Sequence, residues 1–281
     1  MRARLWIEFI WRICFWGAGL SVVIVLIAII GLLVLRGGNV LSWEFITGIP
    51  QGLFLGMAGG IFPAIVGTLS LVAIATFAAA IPALFTAIYL VEYSNASAFS
   101  QYINLGIQAM IGIPSILIGL FGYSFFVVYL NLGVSLLSGG FTLAVMILPT
   151  LVVLMRDALD AVDDDYRLLG ESLGVSRCYL LQRVILPVAS PRLLSALLLG
   201  MGYAGGATAP IMVTAATIMS RGSINLYNPV MALPYHLYIL FSQHISVERA
   251  YGTALVLVMM LLFLNMISFY LRSRYGRRVI S

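Results

Sequence analysis

Residues 167–191, "RLLGESLGVSRCYLLQRVILPVASP", form a polar, charged island between two long apolar stretches. From Arg156 to Arg192 the chain holds five arginines against six acids, so this segment is a mixed-charge surface facing water rather than a basic patch on lipid headgroups. The acids Asp163, Asp164 and Asp165 stand where the positive end of a helix would begin, and the spacing predicts a short helix broken at Gly174. Ser176 is placed to cap a second helix from Arg177, and Pro187 is expected to close it. Two short helices meeting at a glycine make a compact knob, suited to fill a pocket on a partner.

Around this island the chain is greasy. Of 281 residues 62% are hydrophobic and 9% charged, which excludes a soluble globular domain and predicts an all-α integral membrane protein in a lipid bilayer. Spanning about 30 Å of hydrocarbon takes about 20 apolar residues per helix. By that measure six transmembrane helices are expected, near 12–35, 62–91, 103–131, 134–155, 191–219 and 250–271. Pro82 and Pro114 predict tilt or a kink in the second and third, and Pro149 and Pro210 interrupt the fourth and fifth. "MRARLW" has the charge of a signal peptide, yet the run to Leu35 is too long for one and reads as an uncleaved first span. With both termini cytoplasmic, twelve arginines fall inside and only Arg36, Arg221 and Arg249 outside. The segment Glu92–Gln101 then lies inside although it carries no arginine.

Several chemistries are excluded. The net charge of +5 comes from 15 arginines scattered at segment ends, a poor footprint for nucleic acid. Apart from Glu92 at the end of the second stretch, the spans lack the acid or histidine by which a proton- or sodium-driven carrier couples. No Gly-rich loop ends in Gly-Lys-Ser/Thr, so the chain binds no cofactor of its own and ATP must be handled by another polypeptide. Cys14 and Cys178 are not expected to pair. His236 and His244, eight apart, read as loop residues without metal-ligand spacing. Gly56 to Gly60 and Gly202 to Gly206 put small residues on one helix face, for packing within the chain or against another subunit. The chain divides into residues 1–40, a tail with the first span, and a core over 41–281 containing the loop at about 157–190.

That loop resembles the coupling (EAA) loop of ABC transporter permeases of the binding-protein-dependent importer type. The family pattern is Glu-Ala-Ala, three residues, Gly, nine residues, then Ile-x-Leu-Pro. Gly174 and, nine residues on, Val184-Ile185-Leu186-Pro187 match it, while Glu-Ala-Ala falls on Leu168-Leu169-Gly170. Glu171 lies about one helical turn later, on nearly the same face as position 168. The resemblance narrows to the phosphate-type, PstA-like branch over roughly 40–275. It is carried by "LSWEFITG" (41–48), "AIVGTL" (64–69), "AIYLVEYS" (87–94), "GIPSILIGLFGY" (112–123), "GATAP" (206–210), "ALP" (232–234) and "LNMISFYLRSR" (264–274). It implies a type I ABC importer permease fold and partners comprising a second, PstC-like permease, an ABC ATPase dimer using ATP and Mg, and an extracytoplasmic solute-binding protein received on loop 220–249. It also implies a bacterial or archaeal inner-membrane location. Glu171, Gly174, Arg177, Val184, Leu186 and Pro187 would meet the ATPase, and the chain itself would be no enzyme.

The departures concern the solute. Phosphate-type permeases usually carry Gly-Glu-Thr-Ala-Pro where this chain has Ala207, and arginines where it has Tyr203 and Val153. Tyr203, Ala207, Thr208, Pro210 and Thr214 are candidates to line a path, the threonines being equally suited to bond back to their own helix. Phosphate or a related solute is the expected cargo. A degenerate permease serving as scaffold or sensor, or an ATP-independent carrier, stays open at this point.

Overall fold

A computed structural model describes residues 2–51, 58–94, 97–218 and 225–276. The expectations for Gly56, Arg221, Arg277 and Arg278, and part of those for loops 92–101 and 220–249, fall outside the described residues. In chain order the helices are α1 (Arg2–Gly37), α2 (Trp43–Thr47), α3 (Phe62–Ile88), α4 (Ala98–Ile111), α5 (Ser115–Gly122), α6 (Leu136–Asp160), α7 (Asp164–Ser172), α8 (Arg177–Leu180), α9 (Leu186–Gly205), α10 (Ala209–Thr214), α11 (Leu233–Ser242) and α12 (Val247–Gly276). π-helical turns extend α3 over Tyr89–Tyr93 and α5 over Tyr123–Tyr129, and join α8 to α9 over Leu181–Ile185. A two-residue antiparallel pair, Pro50–Gln51 with Ala58–Gly59, is the β-structure found among the described residues besides one isolated bridge.

The all-α expectation holds, and the described residues supply five to six helices long and apolar enough to cross a membrane. Glu8–Val40, Phe62–Tyr93, Leu136–Asp160, Arg177–Gly205 and Val247–Ile267 are long and apolar enough to span, and the bent pair Ala98–Ile111 with Ser115–Tyr129 makes a sixth when counted as one broken span.

Two of the expected spans need correction. The third, where Pro114 predicts tilt or a kink, is broken more sharply than a kink, into two pieces bent by 100°. Gly112 ends α4, its N–H closing on the Gln108 and Ala109 carbonyls, and Pro114 has no N–H with which to continue. The fifth is displaced from 191–219: it begins at Arg177 and stops at Gly205, and only α10 follows the break at Gly206–Thr208. Pro187 therefore does not close the second loop helix. The backbone stays right-handed helical at Leu180, Ile185 and Leu186, because the π turn at Leu181–Ile185 widens the hydrogen-bond register where proline withholds a donor. Pro82, Pro149 and Pro191 likewise sit inside unbroken helices.

The core is built on α3 against α6, the most extensive helix contact. On α3 a stripe of small residues recurs every four positions, Ala75, Ala79, Ala83 and Ala87, all buried. On α6 the matching stripe is large, Leu143, Ile147, Leu151, Met155 and Leu159. Small against large lets the two axes approach closely, which in lipid gives the dispersion contacts that hold helices together. The buried Thr68 hydroxyl accepts from the Leu233 N–H at 2.8 Å and donates to the Ala64 carbonyl, satisfying an orphan donor at the start of α11. His236 is not a loop residue: it is buried on α11, its Nδ1 3.3 Å from the Thr253 hydroxyl on α12. Along α1, most large side chains from Phe9 to Val34 are about half exposed or more, Ile30 and Leu33 being partly buried. It joins the rest through α12, where Gly37 lies so near the Tyr251 carbonyl that a Cβ would stand 2.6 Å from it.

Candidate functional site: the loop knob and the broken helices

The knob between α6 and α9 forms as its residues demand. Asp163 caps α7 by accepting from the Asp165 N–H, and Asp164 and Asp165 occupy the positive first turn. At the other end the Val175 N–H reaches the Gly170 carbonyl at 2.9 Å and the Gly174 N–H reaches Glu171 at 3.1 Å, a Schellman closure. It requires Gly174 at φ +67; a Cβ there would meet nothing within 4 Å, so conformation and not space selects glycine. Ser176 then caps α8 by accepting from Tyr179. Gly170 lets α7 lie on α8, since a Cβ there would come within 2.8 Å of Leu180.

This geometry leaves Glu171 and Arg177 exposed, together with apolar surface: Leu168, Leu169, Leu173 and Tyr179 are 60%, 60%, 77% and 58% exposed. Val184 and Leu186 are half-buried and Pro187 is exposed. The residue of that stretch that anchors the knob in the core is Ile185, 1% exposed, between the two motif positions.

Residue-type reasoning missed the principal anchor, Arg167. Its guanidinium donates to Glu92 from Nη2 at 2.8 Å and from Nε at 3.2 Å, to Asp164 and the Val162 carbonyl from Nη1, and to the Leu159 carbonyl from Nη2. The hydrogen bond to Glu92 raises the Arg167 pKa from its already high value, against the opposing effect of burial. The signal was present: Glu92 ends a span in an arginine-free stretch, and an acid held there needs a cation from elsewhere.

The path candidates do not share one surface. Gly206–Thr208 is the gap between α9 and α10, and α10 crosses α5 so closely that a Cβ on Gly119 would lie 3.0 Å from the Pro210 Cα. Pro210 and Thr214 turn inward; Thr214 is fully buried and donates to the Pro210 carbonyl at 2.7 Å. Tyr203 is 52% exposed, and Ala207 and Thr208 are partly so. Below Tyr203, one turn on from Leu199, a groove of about 320 Å³ opens between α6 and α9, with Asp157, Arg192 and Ser195 among its lining. Arg192 donates to the Ala161 carbonyl at its rim. Of the glycine stripes, Gly202 and Gly206 meet no close neighbour, whereas Gly200 abuts Leu151 and Gly205 abuts Leu261.

The fold is that of known importer permeases. The chain aligns with the inward-facing MetNI methionine ABC transporter at a TM-score of 0.64 and 14% identity, covering 75% of this chain and 94% of that one. It also aligns with a bacterial ABC transporter involved in import of the acidic polysaccharide alginate, TM-score 0.62 and 15% identity, over 96% and 99%. In sequence it is 34% identical to the probable phosphate transport system permease protein PstA of Methanocaldococcus jannaschii, over 73% of each chain. It is 29% identical to phosphate transport system permease protein PstA 1 of Mycobacterium tuberculosis (strain CDC 1551), over 79% of this chain and 73% of that protein. The probable ABC transporter permease protein YqgI of Bacillus subtilis is 27% identical over 88% and 90%. With residues 83–281 matching the family model itself, this multi-pass membrane chain belongs to the family described as binding-protein-dependent transport system inner membrane component, the permeases of ABC importers.

Proposed function

We propose that this chain is the PstA-like permease of an ATP-driven importer of phosphate or a related solute, driven through the knob around Gly174. The observation that carries this reading is the exposed apolar surface of Leu168, Leu169, Leu173 and Tyr179 on a knob rigidly held by Arg167. Leucines this exposed outside the spans suit a hydrophobic cleft on another protein. In this reading Glu171, Gly174, Arg177, Val184, Leu186 and Pro187 form or support the contact with an ABC ATPase dimer, which binds ATP and Mg and hydrolyses it. Domain closure there moves the knob as a rigid body and opens the path alternately to the two sides. The positive-inside bias puts both termini and the knob in the cytoplasm, and an external solute-binding protein docks on 220–249.

The path would pass the open face of α9 with Tyr203, Ala207 and Thr208, beside a second, PstC-like permease. Pro210 and Thr214 shape it from within by fixing α10 against α5. The similarity to phosphate permeases favours phosphate, and with no cation at Val153 or Tyr203 the cationic contacts to an anion would come from the partner permease.

The test is purification of the native complex followed by ATPase assays with phosphate, other oxyanions and uncharged solutes. Stimulation by an oxyanion is expected. A complex that assembles with an ATPase yet responds to none of the solutes overturns the importer reading.

A further inference from the structure

We propose that Glu92 and Arg167 are a pin that passes movement of the knob to the second span, Arg167 acting as a positioning residue; this deepens the reading of the loop as ATPase-driven and rests on it. Without the pin, α7 is tied to the rest through residues Ala161–Asp163 before it and Leu173–Ser176 after it, none of them in a helix, and through the packing of Gly170 on Leu180 of α8. α7 could then swivel about α8 without displacing the second span or α6. Arg167 removes that freedom, because all five of its N–H groups are engaged across three segments. These are the last turn of α6 with the second residue beyond it, through the Leu159 and Val162 carbonyls, the first turn of α7 through Asp164, and the π turn Tyr89–Tyr93 through Glu92.

The pair is largely withdrawn from water, the two side chains being 21% and 12% exposed. Leu159 and Val162, whose carbonyls accept from Arg167, belong with Leu90, Leu181 and Ile185 to one buried cluster, an apolar seal joining the second span, α6 and the α8–α9 junction. The π turns at Tyr89–Tyr93 and Leu181–Ile185 supply elements of that seal, and such turns ease local rearrangement within a helix. Lysine could not replace Arg167: three donors on one atom cannot span three segments.

Two measurements test the pin. In the complete complex reconstituted in vesicles, Glu92→Gln and Arg167→Lys should keep the ATPase bound and hydrolysing while solute moved per ATP falls about fivefold or more. A short bismaleimide strap across Glu92→Cys and Arg167→Cys, in a chain also carrying Cys14→Ser and Cys178→Ser, should restore the ratio to within about twofold of the unvaried complex. In the chain alone, in nanodiscs, amide hydrogen exchange over residues 164–172 should rise about tenfold in Glu92→Gln. A wild-type transport ratio in both variants, a strap that restores nothing, or unchanged exchange over 164–172 would overturn the pin. Failure of the unvaried complex to transport with ATP would instead count against the importer reading, and the exchange arm would still decide whether the pin exists.

Discussion

At single residues the decisive features are backbone conformation and burial. Gly174 was singled out as a helix breaker, and the structure adds why it must be glycine: φ is +67 and the surroundings are empty. Gly174→Ala should therefore cost about 1 kcal/mol or somewhat more through the left-handed backbone alone, read as a lowered melting temperature of the purified chain. His236 was legible only as a polar residue between apolar stretches, because nothing in its neighbourhood announces the Thr253 hydroxyl seventeen positions on. Burial, with Arg249 adding to it, pushes its pKa down to about 4 from the usual 6.5. The unfolded chain then binds the extra proton between these values, so stability attached to neutral His236 is full above pH 6.5 and lost as pH falls toward 4. Melting between pH 7 and pH 4.5 should show that loss, by about 3 kcal/mol at most. His236→Gln should flatten the slope; an unchanged pH profile would remove His236 as its cause.

At the scale of helices, apolar runs located the spans and Pro114 marked the break in the third, while the ends of the spans and the sharpness of that break escaped. Pro114 and Pro187 are both proline after an apolar residue, yet the first accompanies a 100° bend and the second lies in an unbroken helix. The difference is in the surroundings: Gly112 ends α4 two residues before Pro114, whereas a π turn and the buried Ile185 carry the chain through Pro187. The same logic explains two of the family-like stretches. "GIPSILIGLFGY" and "GATAP" each contain a broken helix, and the two meet where Gly119 crosses Pro210. Since the atoms nearest an added Cβ are backbone, Gly119→Val should destabilise by about 1–3 kcal/mol. Thermal melting checks this, and a value within error of wild type would mean that α5 and α10 separate freely.

For the whole molecule, the predictions concern what the knob meets and which side it faces. Leu169→Asp with Leu173→Asp should weaken copurification of the ATPase at least about tenfold while leaving the melting temperature of the chain unchanged, since both side chains are exposed. Retained binding would move the docking surface elsewhere. Cys178 is exposed on the knob, so an impermeant thiol reagent should label it in inside-out vesicles and not in intact cells; the reverse pattern would invert the topology. The amino-acid sequence by itself determined the membrane class, the apolar spans and the knob with its glycine break, because transfer into lipid and helix termination depend on local composition and backbone preference. Only the tertiary structure decided that Glu92 belongs to Arg167, that Thr214 faces inward, and that α5 and α10 cross. Each of these joins residues or surfaces that the chain's own order keeps apart, and only packing and the need to satisfy buried polar groups bring them together.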